Sequence, residues 1–298
     1  MNTYINIGNA SFTKARNDEY VDKSMLIAYT NSVLNTERQF MCVTRARRFG
    51  KSMAAKMLNA YYDEGCDSRH LFQDLKIAQD PTFNQHLNKY PVIYVDITNF
   101  TTASTDINTI VERIESALCA ELCKTYPELH KNEEDDLMNL LLQTVSTRQK
   151  KFIMIIDEWD AICREANKYP EVMKRYVNFL RRLFKGSNTD TVFAGVYMTG
   201  ILPIYQYDTQ SALNNFREFS MLDPKGLAGY FGFVPSEVEM LAEKYQMDID
   251  QLRQWYDGYQ MGQMQSVYNP YSVIQAVIDH QLKSYWTTTG AYESLRWC

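Results

Sequence analysis

The chain has 298 residues, 45% hydrophobic and 22% charged, with a formal net charge of −5. That length can bury a complete α/β core and a second unit, and the composition excludes a disordered or fibrous chain. The negative balance argues against a nucleic-acid surface covering the whole protein but leaves room for a local basic patch, which Arg45, Arg47, Arg48 and Lys51 would supply.

Residues 16–34 carry apolar positions at Val21, Met25, Ile27, Ala28 and Leu34, which predicts a helix entering the first strand. Phe40–Thr44 is a short apolar run and predicts a buried strand, followed by a loop and by Met53–Leu58, rich in helix formers. From Tyr61 to Asp80 the text is polar and turn-rich, a loop with a short helix. Tyr90 to Ile97 predicts a second strand with Pro91 at its start, and Asp96 at its end is read as a turn cap. Helical spacing recurs over Ile107–Leu122, and Glu133-Glu134-Asp135-Asp136 reads as the solvated start of the next helix.

Phe152–Ile156, bounded by charge, predicts a strand buried on both faces. Tyr169–Phe184 predicts an amphipathic helix with Arg181 and Arg182 in its last turn, and Thr191–Met198 another buried strand ending in Thr199-Gly200. Beyond about Gln206 no long buried strand is expected. Ser236-Glu237-Val238-Glu239 reads as a capping box, Asp248 opens a helix ending near Tyr256, Asp257-Gly258 signals a turn, and Asn269-Pro270 starts a last helix. The aromatics Trp255, Tyr256, Tyr259, Tyr268 and Tyr271 are expected in the core of this helical half. Six cysteines, Cys42, Cys66, Cys119, Cys123, Cys163 and Cys298, form no C-x-x-C pair and are expected as buried thiols in a reducing compartment. With no apolar run near the roughly 18 residues of a membrane span and no signal-peptide core in residues 1–12, a cytoplasmic protein with no membrane partner is expected.

The chemistry gathers at two places. Gly50-Lys51-Ser52 fills the last three positions of the phosphate-loop pattern G-x-x-x-x-G-K-[ST], while Arg45 stands where its first glycine would be. In such a loop, backbone N–H groups at a helix N-terminus face an anion, the lysine adds a charge and the hydroxyl ligates Mg²⁺. The second place is Asp157-Glu158, at the carboxyl end of a buried strand, where open α/β sheets bind ligands. Asp157 would hold, with Ser52, the Mg²⁺, and Glu158 would orient or deprotonate the attacking water.

Arg45-x-Arg47-Arg48-Phe49-Gly50-Lys51-Ser52 resembles the R-P-R-R-F-G-K-S loop of the bacterial AAA-ATPase-like family, in which an ATPase half commonly precedes a PD-(D/E)XK nuclease-like half. Tyr20-Val21-Asp22-Lys23, Tyr90–Asp96, Ile156-Asp157-Glu158-Trp159-Asp160, Thr199-Gly200-Ile201, Leu213-Asn214-Asn215, Trp255–Tyr259 and Val267–Val273 are similar to further motifs of that family, in order along nearly the whole chain. Ala46 stands where the family has proline. The resemblance makes Arg45 an ordinary loop member and implies ATP as the nucleotide. It also puts Tyr20 or Lys23 near the base or ribose, with a plain packing role as the alternative.

The expected fold is therefore α/β, a P-loop NTPase core with a mainly parallel sheet over residues 1–206. A helical unit, lid-like or winged-helix-like, follows over 207–298. The expected site comprises Arg47, Arg48, Phe49, Gly50, Lys51 and Ser52 around the nucleotide, Ser52 and Asp157 on Mg²⁺, and Glu158 and Thr199 as catalytic groups, Thr199 sensing the outer phosphate. The expected function is Mg-dependent ATP hydrolysis driving a conformational switch. A nucleotide-gated switch with negligible turnover and the regulatory half of a nucleic-acid-processing system are the alternatives. Nucleic acid, a partner protein and self-association all remain open as partners.

Overall fold

The computed structural model describes residues 3–101, 106–130, 132, 135–165, 169–204 and 213–285. In chain order these form α1 (Ala10–Arg16), α2 (Met25–Asn31), β1 (Phe40–Thr44), α3 (Lys51–Tyr62), the short α4 (Arg69–Phe72) and α5 (Phe83–His86), and β2 (Val92–Asp96). Then come α6 (Thr98–Thr101), α7 (Ile110–Thr125), α8 (Leu137–Arg148), β3 (Phe152–Asp157), α9 (Ala161–Glu165), α10 (Pro170–Phe184), α11 (Thr189–Val192) and β4 (Phe193–Gly200). The last part holds β5 (Arg217–Phe219), α12 (Pro235–Lys244), α13 (Ile249–Tyr256), β6 (Asp257–Met261), β7 (Met264–Tyr268) and α14 (Pro270–Asp279).

Five strands make one sheet in the order β2-β3-β4-β1-β5, and each of its pairings is parallel. Every residue of β1, β3 and β4 is buried, as continuous apolar runs require when helices cover both faces. Alternation along the strands sorts their side chains into two cores. Cys42, Met154, Ile156 and Met198 pack under α7, α8 and α10 through residues such as Leu118, Leu141, Tyr176 and Leu180. Met41, Val43, Ile153, Ile155 and Tyr197 face the other way, onto α1 to α3 through Phe12, Leu26, Ala55, Leu58 and Tyr61. At roughly 1.5–3 kcal/mol for each fully buried large apolar side chain, these two layers dominate what holds the sheet. A third, smaller core joins α12, α13 and α14 through Val238, Leu241, Leu252, Val273 and Val277, and takes in Val21 from the N-terminal segment.

Several expectations are corrected. The helix expected over 16–34 is α1 and α2, separated by an irregular stretch at 17–24 that runs along the cavity described below. The C-terminal half is not purely helical: Asp257-Gly258 is no turn but the start of β6, which pairs antiparallel with β7, and the reversal falls at Gly262, in the left-handed region at φ 59°. The sheet does not stop at residue 206, because β5 at 217–219 pairs with β1. Helix α12 begins at Pro235, two residues earlier in effect than a Ser236 cap would have it, and Glu237 reaches back to the Val234 N–H at 2.9 Å. Of the C-terminal aromatics, Tyr256 and Tyr268 are buried, but Trp255 is 51% and Tyr271 36% exposed. Cys42, Cys119 and Cys163 are buried free thiols, Cys66 and Cys123 are half-buried. Cys298, Glu133, Glu134 and the boundary at Gln206 lie outside the described residues.

Asp96 behaves as its sequence context suggests: its Oδ1 accepts from the Thr98 N–H at 2.9 Å and from the Thr98 hydroxyl at 2.6 Å, a turn cap. Asp136 likewise caps α8 and Asp248 caps α13.

Candidate functional site

The loop after β1 is set by its two ends. The Arg45 N–H continues the parallel ladder onto the Gly200 carbonyl at 3.1 Å. At the far end Gly50 caps α3 with φ 88°, a conformation that costs glycine little, and Arg48 also sits in the left-handed region at φ 70°. Between them the chain turns so that the free N–H groups opening the 12-residue α3 face a cavity. Lys51 is almost fully buried, and its Nζ donates to the carbonyls of Arg45 at 3.0 Å and Ala46 at 3.1 Å. Burial pushes its pKa down, while Glu158, Asp160 and Asp157 act in the opposite sense.

Arg45 belongs to the core rather than to a basic patch. It is 1% exposed, its Nη1 donates to the carbonyls of Thr44 at 2.8 Å and of Phe219, and its guanidinium stands 5.2 Å from the Phe231 ring. Burial brings its pKa down to about 10. Arg45 thus joins the loop to β5, which explains how a bulky side chain replaces the first glycine of the pattern.

The middle of the loop is gripped by the C-terminal unit. The Arg48 guanidinium lies 3.8 Å from the centre of the Tyr271 ring, and its Nη1 donates to the Tyr285 carbonyl at 3.3 Å. Phe49 is fully buried, edge-on to Tyr259 at 5.0 Å, and its carbonyl accepts from the Gly232 N–H at 3.1 Å. Asn269, the cap of α14, sends its Nδ2 to the Arg47 carbonyl at 3.4 Å. The Arg47 side chain itself is exposed at the cavity wall.

Opposite the loop lies the acidic pair. Asp157 is 2% exposed; its Oδ1 accepts from the Thr199 hydroxyl and its Oδ2 from the Tyr94 hydroxyl at 3.3 Å. Burial raises its pKa, with the Thr199 hydrogen bond opposing. Glu158 takes φ 53°, a region that few residues other than glycine occupy, and its N–H points to Thr199 Oγ1 at 3.2 Å. That turn throws its carboxylate into the cavity, with Oε1 at 3.9 Å from Lys51 Nζ and Oε2 at 2.7 Å from Arg164 Nη2. Thr199 is a correction: it is fully buried behind the acidic pair, bonded to both of its members, and does not line the cavity. Its hydroxyl positions Asp157 and Glu158.

The cavity measures about 690 Å³. One end is walled by Gly50, Lys51, Ser52, Glu158 and Arg164, the other by Tyr20, Val21, Met57, Phe233 and Ile274. The Tyr20 hydroxyl donates to Met57 Sδ at 3.4 Å, and Lys23 is tied to the Gly229 carbonyl at 2.8 Å and to Glu237 at 2.6 Å. The sequence profile of the AAA-ATPase_like family, described as "Predicted AAA-ATPase", matches residues 6–209. The chain belongs to this family.

A protein from Azotobacter chroococcum mcd 1, described as an uncharacterized protein in the vnfD 5′ region, is 22% identical to this AAA-ATPase-like chain over 300 residues. The match takes in 95% of the chain and 54% of that relative, so the chain spans about half the relative's length. Among solved structures, the ADPNP–ADP complexes of the ORC2 protein of Aeropyrum pernix overlap it with a TM-score of 0.42 at 10% identity, over 78% of this chain and 55% of that one. AMPPCP-bound DnaA from Aquifex aeolicus overlaps at 0.39 and 10%, over 93% and 68%. Both scores are below 0.5, and the α/β assignment rests on the strand order and register. Among the described residues no helix is long and apolar enough to cross a membrane.

Two further groups stand at this AAA-ATPase-like site: Asp160, which the sequence shows only as the last member of a motif, and Arg164, which no motif includes. Asp160 is fully buried; its Oδ2 accepts from the N–H groups of Ile201 at 3.2 Å and Leu202 at 2.9 Å, and both its oxygens accept from Arg164 Nη1 at 3.0 Å. The i,i+4 spacing of an acid and a base just after the acidic pair was the available signal. Gly200 is forced by the same packing: a Cβ there would lie 2.6 Å from Trp159 Nε1 and 2.8 Å from Asp160 Oδ1.

Proposed function

We propose that the chain binds Mg-ATP in this cavity and hydrolyses it, with turnover altering how the C-terminal unit holds the phosphate loop. The observation that carries the reading is convergence. Lys51, Ser52 and Glu158 line one end of a single cavity, and Thr199 joins Glu158 to the buried Asp157 beside it, although the sequence separates the loop from the acidic pair by more than a hundred residues.

In this reading the N–H groups opening α3 and the Lys51 ammonium bind the outer phosphates. The Ser52 hydroxyl and the Asp157 carboxylate are hard oxygen donors of the kind Mg²⁺ takes when phosphates supply its other ligands, and they fit that ion. Bound there, Mg²⁺ would neutralise charge on the phosphates. Glu158 orients the attacking water and takes its proton at a carboxylate oxygen, and Thr199 keeps Glu158 and Asp157 in register from behind. The apolar end at Val21, Met57, Phe233 and Ile274 receives the base. Because Phe233 and Ile274 belong to the C-terminal unit, with which Val21 packs, and Met57 to the sheet side, occupancy of that end couples the two units. The five cysteines among the described residues are free thiols, the form that a reducing compartment maintains.

A second reading, nucleotide gating without turnover, is favoured by the engagement of the Glu158 carboxylate with Arg164. Phosphate release separates the two. Glu158→Gln should keep Mg-ATP affinity but lose about 10²–10⁴-fold in rate, roughly 3–5 kcal/mol in the barrier. Equal and negligible release by wild type and variant, with both still binding ATP, would leave the gated switch in place of the hydrolase.

A further inference from the structure

The Glu158 carboxylate lies between two cations at the phosphate end of the cavity, Lys51 Nζ at 3.9 Å and Arg164 Nη2 at 2.7 Å. The two cations are held differently. Lys51 is fixed from behind by the loop carbonyls of Arg45 and Ala46. Arg164 is fixed by one arm of its planar fork: Nη1 is taken by both oxygens of the fully buried Asp160, which two backbone N–H groups after β4 hold in turn. The anchored arm leaves Nη2 facing the cavity, whose wall includes Lys51, Ser52, Glu158 and Arg164 together. A guanidinium held in this way is pre-organised for a second oxyanion and loses little side-chain freedom on binding it.

We propose that Arg164 is a terminal-phosphate ligand supplied by this chain itself, and that the outermost phosphoryl group of a nucleoside triphosphate competes with the Glu158 carboxylate for Nη2 of Arg164. This deepens the ATP-binding reading and rests on it. A phosphoryl group carries more charge and more acceptor oxygens than a carboxylate, so it is the stronger partner for a Lys-Arg pair. A diphosphate has no group at that position. Arg164 therefore distinguishes ATP from ADP, and its transfer from Glu158 to phosphate frees the carboxylate for the attacking water only when a triphosphate is bound. The arginines at the end of α10 have no such placement: Arg182 is 58% exposed at its side chain and pairs with Glu115.

The test is calorimetric titration of the full chain with Mg-ADP and with a non-hydrolysable Mg-ATP analogue. Arg164→Ala should lower affinity for the triphosphate analogue by about 10- to 100-fold and leave Mg-ADP affinity unchanged. Arg164→Lys, which retains a cation for Asp160 but lacks a fork to span Asp160 and the cavity, should lower the same ratio and decides the matter should Arg164→Ala fail to fold. A triphosphate-to-diphosphate ratio equal to wild type in the folded variants would overturn the proposal and leave Arg164 a structural ion pair. Wild type alone reports on the underlying reading: binding of neither nucleotide would overturn both, whereas binding of both with an unchanged ratio in the variants would overturn only the role of Arg164.

Discussion

On the sheet side of the cavity the side chains that matter are charged, buried and tied down: Lys51 to the loop carbonyls, Asp157 to Thr199 and Tyr94, and Asp160 to Arg164. On the C-terminal side the contacts to the same loop are aromatic or borne by the backbone, Tyr271 on Arg48, Tyr259 on Phe49, and the Gly232 N–H and Asn269 Nδ2 on loop carbonyls. The difference separates two tasks. Charges held rigidly in a low-dielectric wall suit binding and chemistry on an anion, because they need no reorganisation when the anion arrives. Stacking and single hydrogen bonds, each worth on the order of 1 kcal/mol, suit a contact that can be remade.

If that division holds, the largest effect on ligand binding comes from the sheet side. Lys51→Ala should cost about 10²-fold or more in Mg-ATP affinity, roughly 3 kcal/mol, with an unchanged far-UV circular dichroism spectrum, since the loop's backbone course is set by β1, Gly50 and Arg45. Undiminished affinity would remove the charged wall from the account. The next effect belongs to the seam. A Cβ at Gly232, where φ is 81°, would fall 2.4 Å from Val267 Cγ1 and 3.2 Å from Phe49 Cδ1. Gly232→Ala should therefore cost about 2–4 kcal/mol through strain and overpacking, seen as a lowered melting temperature. An unchanged transition would mean that the seam already yields. The smallest effect is at the cap. Asn269→Ala removes the bond to the Ser272 N–H at 3.1 Å and the one to the Arg47 carbonyl, and should lower stability by about 1 kcal/mol, with a smaller loss of nucleotide affinity than Lys51→Ala.

The same two sides differ in how far the sequence discloses them. Strands β1, β3 and β4 are legible because burial on both faces demands unbroken apolar runs, and Gly50-Lys51-Ser52 and Asp157-Glu158 stand at their ends. The C-terminal hairpin is not, since β6 reads Asp-Gly-Tyr-Gln-Met and is mostly exposed, so neither alternation nor β-propensity marks it and Asp257-Gly258 carries a turn signal instead. Strand β5 is three residues long and is recruited by pairing with β1, a tertiary effect that no local pattern announces. Within the site, Lys51, Ser52 and Glu158 line one cavity, with Asp157 buried next to Glu158. Thr199 lies at the end of β4 beside the acidic pair, but its hydroxyl turns inward onto Asp157 rather than toward the cavity, a placement that the pairing of β3 with β4 sets and no local pattern shows. Arg45 has the composition of a basic patch and the position of a core residue, a distinction that only the β5 carbonyl it bonds can make.

The most direct measurement of the central claim is calorimetric titration of the wild-type chain with ATP, once with Mg²⁺ in excess and once with the metal removed by chelator. Saturable binding at one site per chain is expected in Mg²⁺, and clearly weaker binding without it, because Ser52 and Asp157 then lose the ion that joins them to the phosphates. Absence of saturable binding in Mg²⁺ by a chain that is folded by circular dichroism would contradict it.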